Sequence, residues 1–389
     1  MSRIGIVAAL LVVVAAVFGR IDEGEAIAVP VETGSAVGIS PGGALLSLDD
    51  AEVRATMRDI AALGADWVRV DLAWPAIERA PGRLDWTTPD RIIGEARDAG
   101  LEVLALIGYT PGWAEGDVID GRPEDPDDYG RFVATAAARY AEQVAAWELW
   151  NEPNSPVFSD DISPEGYAPL LAAGAAAVRV SDPSAIVVSG GLAPSAEDPD
   201  TGALTPGVWL ARLVAASGGA LPVDRIGIHP YSFPAFPDGD EPWNTYGRLD
   251  LLRATLDEAG VGEVPFWVTE FGAPTASHPE AVDEPRQGEI VVRGLDRARS
   301  RPDVDGYFVF ALDDAHAVSG GDELSEGFGL RRQDGTAKVA YERLQDELGD
   351  DHRSGGLDDG RPAFPGGGSD GSIGGVDLRP PILVTAEAS

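Results

Sequence analysis

Val144-Ala145-Ala146-Trp147-Glu148-Leu149-Trp150, running straight into Asn151-Glu152-Pro153-Asn154, is the stretch that organises the chain. Its apolar half is strand material, and it ends abruptly in an amide, a carboxylate and a proline. Ser163-Pro164 lies downstream and Asp125-Pro126 upstream, each pairing a capping side chain with a proline suited to the first helical position. The unit is therefore helix, strand, helix. Moving outward, the same unit recurs. Further strand candidates are Ala36 to Ile39, Trp67 to Leu72, Leu101 to Ile107, Ile186 to Gly190, Arg225 to His229, Phe266 to Thr269 and Gly306 to Phe310. Amphipathic stretches separate them. The clearest carries Val53, Met57, Ile60 and Leu63 at helical spacing and stops at Gly64, and Thr88-Pro89 marks another start.

Eight strand-helix units predict an α/β fold of the closed (β/α)8 TIM-barrel type, because each parallel neighbour needs a crossover. An open doubly wound sheet is the competitor. It would more often place a G-x-G-x-x-G turn after its first strand, and Gly38-Ile39-Ser40-Pro41-Gly42-Gly43 lacks that spacing. The expected barrel spans residues 31–349.

The two ends differ from this middle. Ile4 to Phe18 is an apolar run behind Arg3, followed by Ala26-Ile27-Ala28, so residues 1–28 read as a secretory signal peptide, with an uncleaved N-terminal membrane anchor as the alternative. Either reading puts the barrel outside the cytoplasm. Residues 350–389 are rich in Gly, Asp and Ser and read as a flexible tail.

Composition removes several functions. The 389 residues carry 29 basic and 65 acidic side chains, a net charge of −36, so nucleic acid and anionic membrane surfaces are poor partners. The absence of cysteine excludes thiolate nucleophiles, iron–sulfur clusters and Cys-ligated zinc. His229, His278, His316 and His352 are too scattered for an H-x-x-x-H site. No metal or other cofactor is expected. Lys338 is the sole lysine.

In a barrel of this kind reactive groups sit at the carboxyl ends of strands. Two ends look wrong for a core: Glu152 after the fourth strand and Glu270, in Trp267-Val268-Thr269-Glu270-Phe271-Gly272, after the seventh. A carboxylate ending an apolar strand is expensive to desolvate, and two facing each other across one mouth are the machinery of glycosidic hydrolysis. Glu148 is expected to face away by strand alternation. The structural alternative for the pair is burial against arginine.

These two motifs together resemble clan A of the retaining glycoside hydrolases, and most closely its β-xylosidase and α-L-iduronidase family (family 39). Trp67 to Trp74, Pro111-Gly112-Trp113-Ala114, His229-Pro230-Tyr231, Phe328-Gly329-Leu330 and Asp334-Gly335-Thr336 extend the likeness over residues 36–345. The resemblance implies that Glu152 is the general acid and base and Glu270 the nucleophile. It also implies that Asn151 binds the sugar 2-hydroxyl, and that the substrate is a β-linked oligo- or polysaccharide. Arg69 and Tyr231 are expected beside Glu270, with His229 steadying them. Trp74, Trp113 and Trp243 are candidates for stacking on sugar. The chain departs from the clan at the eighth strand, where Phe310 stands in place of a tryptophan, and at the third, where Gly108-Tyr109-Thr110 replaces a histidine. Asp313-Asp314 either lines the cleft or faces water. Non-catalytic carbohydrate-binding and cell-surface scaffold readings compete with the enzyme.

Overall fold

A computed structural model describes residues 36–114, 121–315 and 325–354. The expected signal segment, nearly all of the tail and His316 lie outside them. Eight parallel strands alternate with eight helices: β1 (Ala36–Ser40), α1 (Asp50–Leu63), β2 (Trp67–Ala73), α2 (Thr87–Asp98), β3 (Glu102–Gly108), α3 (Pro126–Tyr140), β4 (Ala146–Asn151), α4 (Pro164–Ser181), β5 (Ile186–Gly191), α5 (Pro206–Ala216), β6 (Ile226–Ile228), α6 (Leu249–Glu258), β7 (Phe266–Phe271), α7 (Glu284–Arg299), β8 (Val304–Phe310) and α8 (Val339–Ser354). The hydrogen-bonded order is β5-β4-β3-β2-β1-β8-β7-β6. Parallel bridges Val188–Arg225 and Leu192–Ile228 join the two ends and close the barrel. The fold is the expected (β/α)8 barrel. A short hairpin, Glu78–Ala80 with Arg83–Leu84, decorates the segment after β2, and α8 runs five residues past the expected start of the tail.

Local chemistry explains where helices begin and end. Asp49 accepts from the backbone of Ala51 and Glu52, and the Glu52 carboxylate accepts from the Asp49 amide, a complete capping box for α1. Gly64 ends that helix at φ +98°, a conformation a side chain would resist. Asp125 and Ser163 cap α3 and α4 as expected. Thr88 does not cap α2: Asp85 takes the Thr87 amide, so the first turn forms ahead of Pro89.

Along β2, Val68, Val70 and Leu72 belong to the core shared with the helices, which turns Trp67, Arg69 and Asp71 inward. The lower interior is an apolar plug of Leu104, Ala146, Val188, Trp267 and Phe308, with Trp67 edge-on to Trp267 at 5.3 Å. Side chains fill the base, as small barrels require, so the polar groups above it are confined to the carboxyl end. Among the described residues no helix is long and apolar enough to cross a membrane.

Candidate active site

Arg69 is the hub of the upper barrel. Buried to 2% exposure, it donates from Nε to Glu148 Oε2 (2.5 Å), from Nη1 to Glu270 Oε1 (2.6 Å) and Ser40 Oγ (3.3 Å), and from Nη2 to Asn151 Oδ1 (2.9 Å). Burial opposes its charge, but Glu148 and Glu270 outweigh that and hold the guanidinium ionised. One cation thus ties strands β1, β2, β4 and β7 together.

Glu148 faces inward, against expectation. Trp150, two residues on, adopts φ +82° and Glu152 φ +40°, both in the left-handed region that non-glycine residues avoid. That break in the pleat lets Asn151 and Glu152 serve the barrel mouth alongside Glu148. Glu148 is fully buried and satisfied: besides Arg69 it accepts from the Gly191 amide (3.0 Å) and from Thr269 Oγ1 (2.9 Å).

Thr269 then orders the next link. Its hydroxyl proton is committed to Glu148, so its oxygen accepts from His229 Nε2 at 3.1 Å. A neutral His229 must therefore present a lone pair at Nδ1, which lies 2.9 Å from Glu152 Oε1. Whichever atom holds it, one proton occupies the contact between Glu152 and His229. The room for the imidazole comes from Gly191, where a Cβ would stand 2.2 Å from His229 Nε2.

Glu270 has a different environment. Arg69 contacts one oxygen and Tyr231 donates its hydroxyl to the other at 2.8 Å. Burial pushes both Glu152 and Glu270 up from the usual carboxylate range. At Glu270 that rise is opposed by Arg69 and Tyr231, both in direct contact; at Glu152 it is opposed chiefly by His229, with Arg69 a lesser contributor. One oxygen of each, together with a nitrogen of His229, lie within 4.8 Å of one another. That spacing could accommodate an ion, but both Glu270 oxygens already accept hydrogen bonds and a guanidinium stands beside them.

The remaining expectations divide. Asn151 turns its oxygen to Arg69, and its amide nitrogen has no partner among the described residues. Phe310 shares the inward face of β8 with Phe308 and is 8% exposed at the mouth, edge-on to Phe328 at 5.5 Å. Trp74 has no exposed face: it is stacked on Phe132 and hydrogen-bonded to Glu78, so it cannot meet a sugar. Trp113 is half-buried, edge-on to Trp74, with its indole N–H held by the Glu78 carbonyl, which makes it part of the same packed cluster. Trp243 is 51% exposed and borders an open groove of about 610 Å³ with Pro234, Glu241 and Arg286. Asp313 faces water, its side chain 41% exposed while paired with Arg331 (2.6 Å), whereas Asp314 is drawn inward to Lys338 (2.6 Å). Sequence reasoning missed Thr269 and the inward Glu148, and it passed over Asp71, a buried carboxyl on β2.

No protein-family model and no curated protein matches the chain. Solved structures do resemble it. A family 39 glycoside hydrolase from Bacteroides cellulosilyticus WH2 superposes with a TM-score of 0.63 at 23% identity, over 80% of this chain and 62% of its own. GH5_18 from Streptomyces cattleya, solved in complex with GlcNAc, gives 0.63 at 19% identity over 83% and 82%. A monomeric β-xylosidase from Caulobacter crescentus CB15 gives 0.60 at 20% identity over 81% and 68%. The chain spans less than two thirds of the length of the Bacteroides enzyme. At these identities the likeness establishes the fold, a barrel shared with glycoside hydrolases.

Proposed function

We propose that the protein is a retaining glycosidase that cleaves β-linked oligo- or polysaccharides outside the cytoplasm. The observation that carries this reading is the approach of Glu152 and Glu270 to within 4.8 Å, with Arg69 and Tyr231 on one carboxyl and His229 on the other. Retaining enzymes hold their two carboxyls about 5–5.5 Å apart, and inverting ones about 6.5–9.5 Å, to leave room for water. Glu270, held toward its ionised form by Arg69 and Tyr231, attacks the anomeric carbon as the aglycone oxygen takes the Glu152 proton. The leaving group departs as an alcohol and a glycosyl ester remains on Glu270. Water then gives a proton to Glu152, its oxygen attacks the same carbon, and the ester bond breaks to regenerate both carboxyls. The unpartnered amide nitrogen of Asn151 is free to donate to the sugar 2-hydroxyl, and Phe310 offers an apolar face beneath the ring.

The test is hydrolysis of aryl β-glycosides and oligosaccharides by purified protein, with the anomer of the first product followed by NMR. Retention of configuration, lost in Glu270→Gln, is the expected result. Equal activity of Glu270→Gln and the parent would leave only a carbohydrate-binding barrel, and inversion would displace Glu270 as nucleophile.

A further inference from the structure

Among the described residues, Asp71 is the one carboxyl at the barrel mouth to which neither mechanism nor fold gives a task. It lies on β2 two residues beyond Arg69, so strand alternation points it into the same interior, nearer the open end. It is 8% exposed, yet makes no hydrogen bond with any described residue. Burial raises its pKa to about 6, more than Arg69's attraction restores, with Glu270 and Glu148 adding to the rise. The Asp71 carboxylate oxygens reach the open mouth with no donor among the described residues, whereas the fully buried Glu148 below accepts from three. Tyr109, partly exposed, directly follows β3, which pairs with β2, and holds φ +69°. Its hydroxyl is unpartnered among the described residues and feels Asp71 more strongly than any other charge, with Arg69, Glu270 and Glu152 also in range.

We propose, building on the glycosidase reading, that Asp71 and Tyr109 are sugar-reading residues: the Asp71 carboxylate accepts from a hydroxyl or ammonium of the ring held over Glu270, Tyr109 contacts a neighbouring substituent, and the site takes neutral or amino sugars and rejects uronic acids. Rejection follows from charge. Asp71, Glu148 and Glu270 outnumber the single Arg69 cation, so a sugar carboxylate would be desolvated among like charges.

The experiment measures kcat/KM of the parent, Asp71→Ala, Asp71→Asn and Tyr109→Phe on 4-nitrophenyl β-glucoside, mannoside, xyloside, glucosaminide and glucuronide, then on monodeoxy analogues of the best substrate. Asp71→Ala should lose about 10- to 100-fold on that substrate, the size expected of a hydrogen bond to a charged group. On one monodeoxy analogue the loss should vanish, because the donor is already gone. A best substrate bearing ammonium would identify that donor, and a neutral one the hydroxyl. The thermal midpoint of Asp71→Asn should be unchanged or higher, since the carboxylate holds nothing in the free protein. The inference is overturned by Asp71→Ala activity within threefold of the parent on every sugar, by equal losses on all deoxy analogues, by a lowered midpoint for Asp71→Asn, or by preference for the glucuronide. A parent protein that cleaves none of the panel removes the glycosidase reading first, and this one with it.

Discussion

Arg69 shows how much of the site rests on one side chain. It neutralises Glu148 and Glu270 and orients Asn151, with all four groups buried. Removing one partner of a buried ionic group costs more than the group's net contribution, because the others are left charged without compensation. Arg69→Met should therefore lower unfolding free energy by about 3–5 kcal/mol at pH 7 in urea titrations. The deficit should shrink in acid, where the stranded carboxyls can take up protons. Asp71 works in the opposite sense. Its folded-state pKa is raised from 3.8 to about 6, so the native state binds its proton more tightly than the unfolded chain does. Its relative stabilisation is present below about pH 4 and is lost as pH rises through 6, a change of about 3 kcal/mol. Asp71→Asn should not show that fall. In the proposed mechanism Glu152 donates a proton, burial holds that proton above the usual carboxylate range, and the rate should drop as pH rises past it. A rate level through pH 9 would exclude Glu152 as the donor.

At the scale of the element, the strands were legible because period-2 and helical spacing survive wherever backbone is regular. Each of the eight strands falls where its β-branched or aromatic run predicts, and Asp125, Ser163 and Gly64 punctuate helices as their chemistry requires. The misses come from long range or from irregular backbone. Glu148 lies two residues beyond Ala146 of the interior plug, so alternation itself turns it inward; what alternation cannot anticipate is φ +82° at Trp150, which brings Asn151 to the mouth as well. The Thr269 link joins β4 to β7 across the barrel, and no local pattern encodes partners 121 residues apart. Trp74 and Trp113 sit on segments that read as exposed loops, but Glu78 and Phe132 draw them into a packed cluster. Gly191 in β5 is the sharpest example of meaning supplied from elsewhere, since its missing side chain is the space filled by His229 from β6. Gly191→Ala should displace the imidazole and unlink it from Thr269 and Glu152. The expected result is a stability loss of about 1–3 kcal/mol, typical of overpacking, with a larger proportional loss of kcat than of substrate affinity. An unaffected kcat would mean that the Glu152–His229 contact has no part in turnover.

For the whole molecule, the excess of acid over base is the dominant surface property. The arginines that the fold uses are largely matched: Arg331 meets Asp59 and Asp313, Arg301 meets Asp250 and Asp303, and Arg54, Arg139, Arg212 and Arg332 each hold a carboxylate. The net charge of −36 therefore resides in carboxylates left over after pairing. Two salt effects compete. Added salt weakens exposed ion pairs, each of which contributes only about 0–1 kcal/mol, but it also screens repulsion among all the surplus charges, which acts across the surface and opposes compaction. With so large a surplus the second effect should prevail. Raising NaCl from about 10 mM to 100 mM contracts the screening length from about 30 Å to about 10 Å. The thermal midpoint should rise over that range. The same field repels polyanions before they reach the mouth, so turnover of an acidic polysaccharide, if any occurs, should increase with salt, while turnover of a neutral one should change little. A midpoint that fell with added salt would show that the paired arginines, rather than the unpaired carboxylates, govern the stability of this barrel.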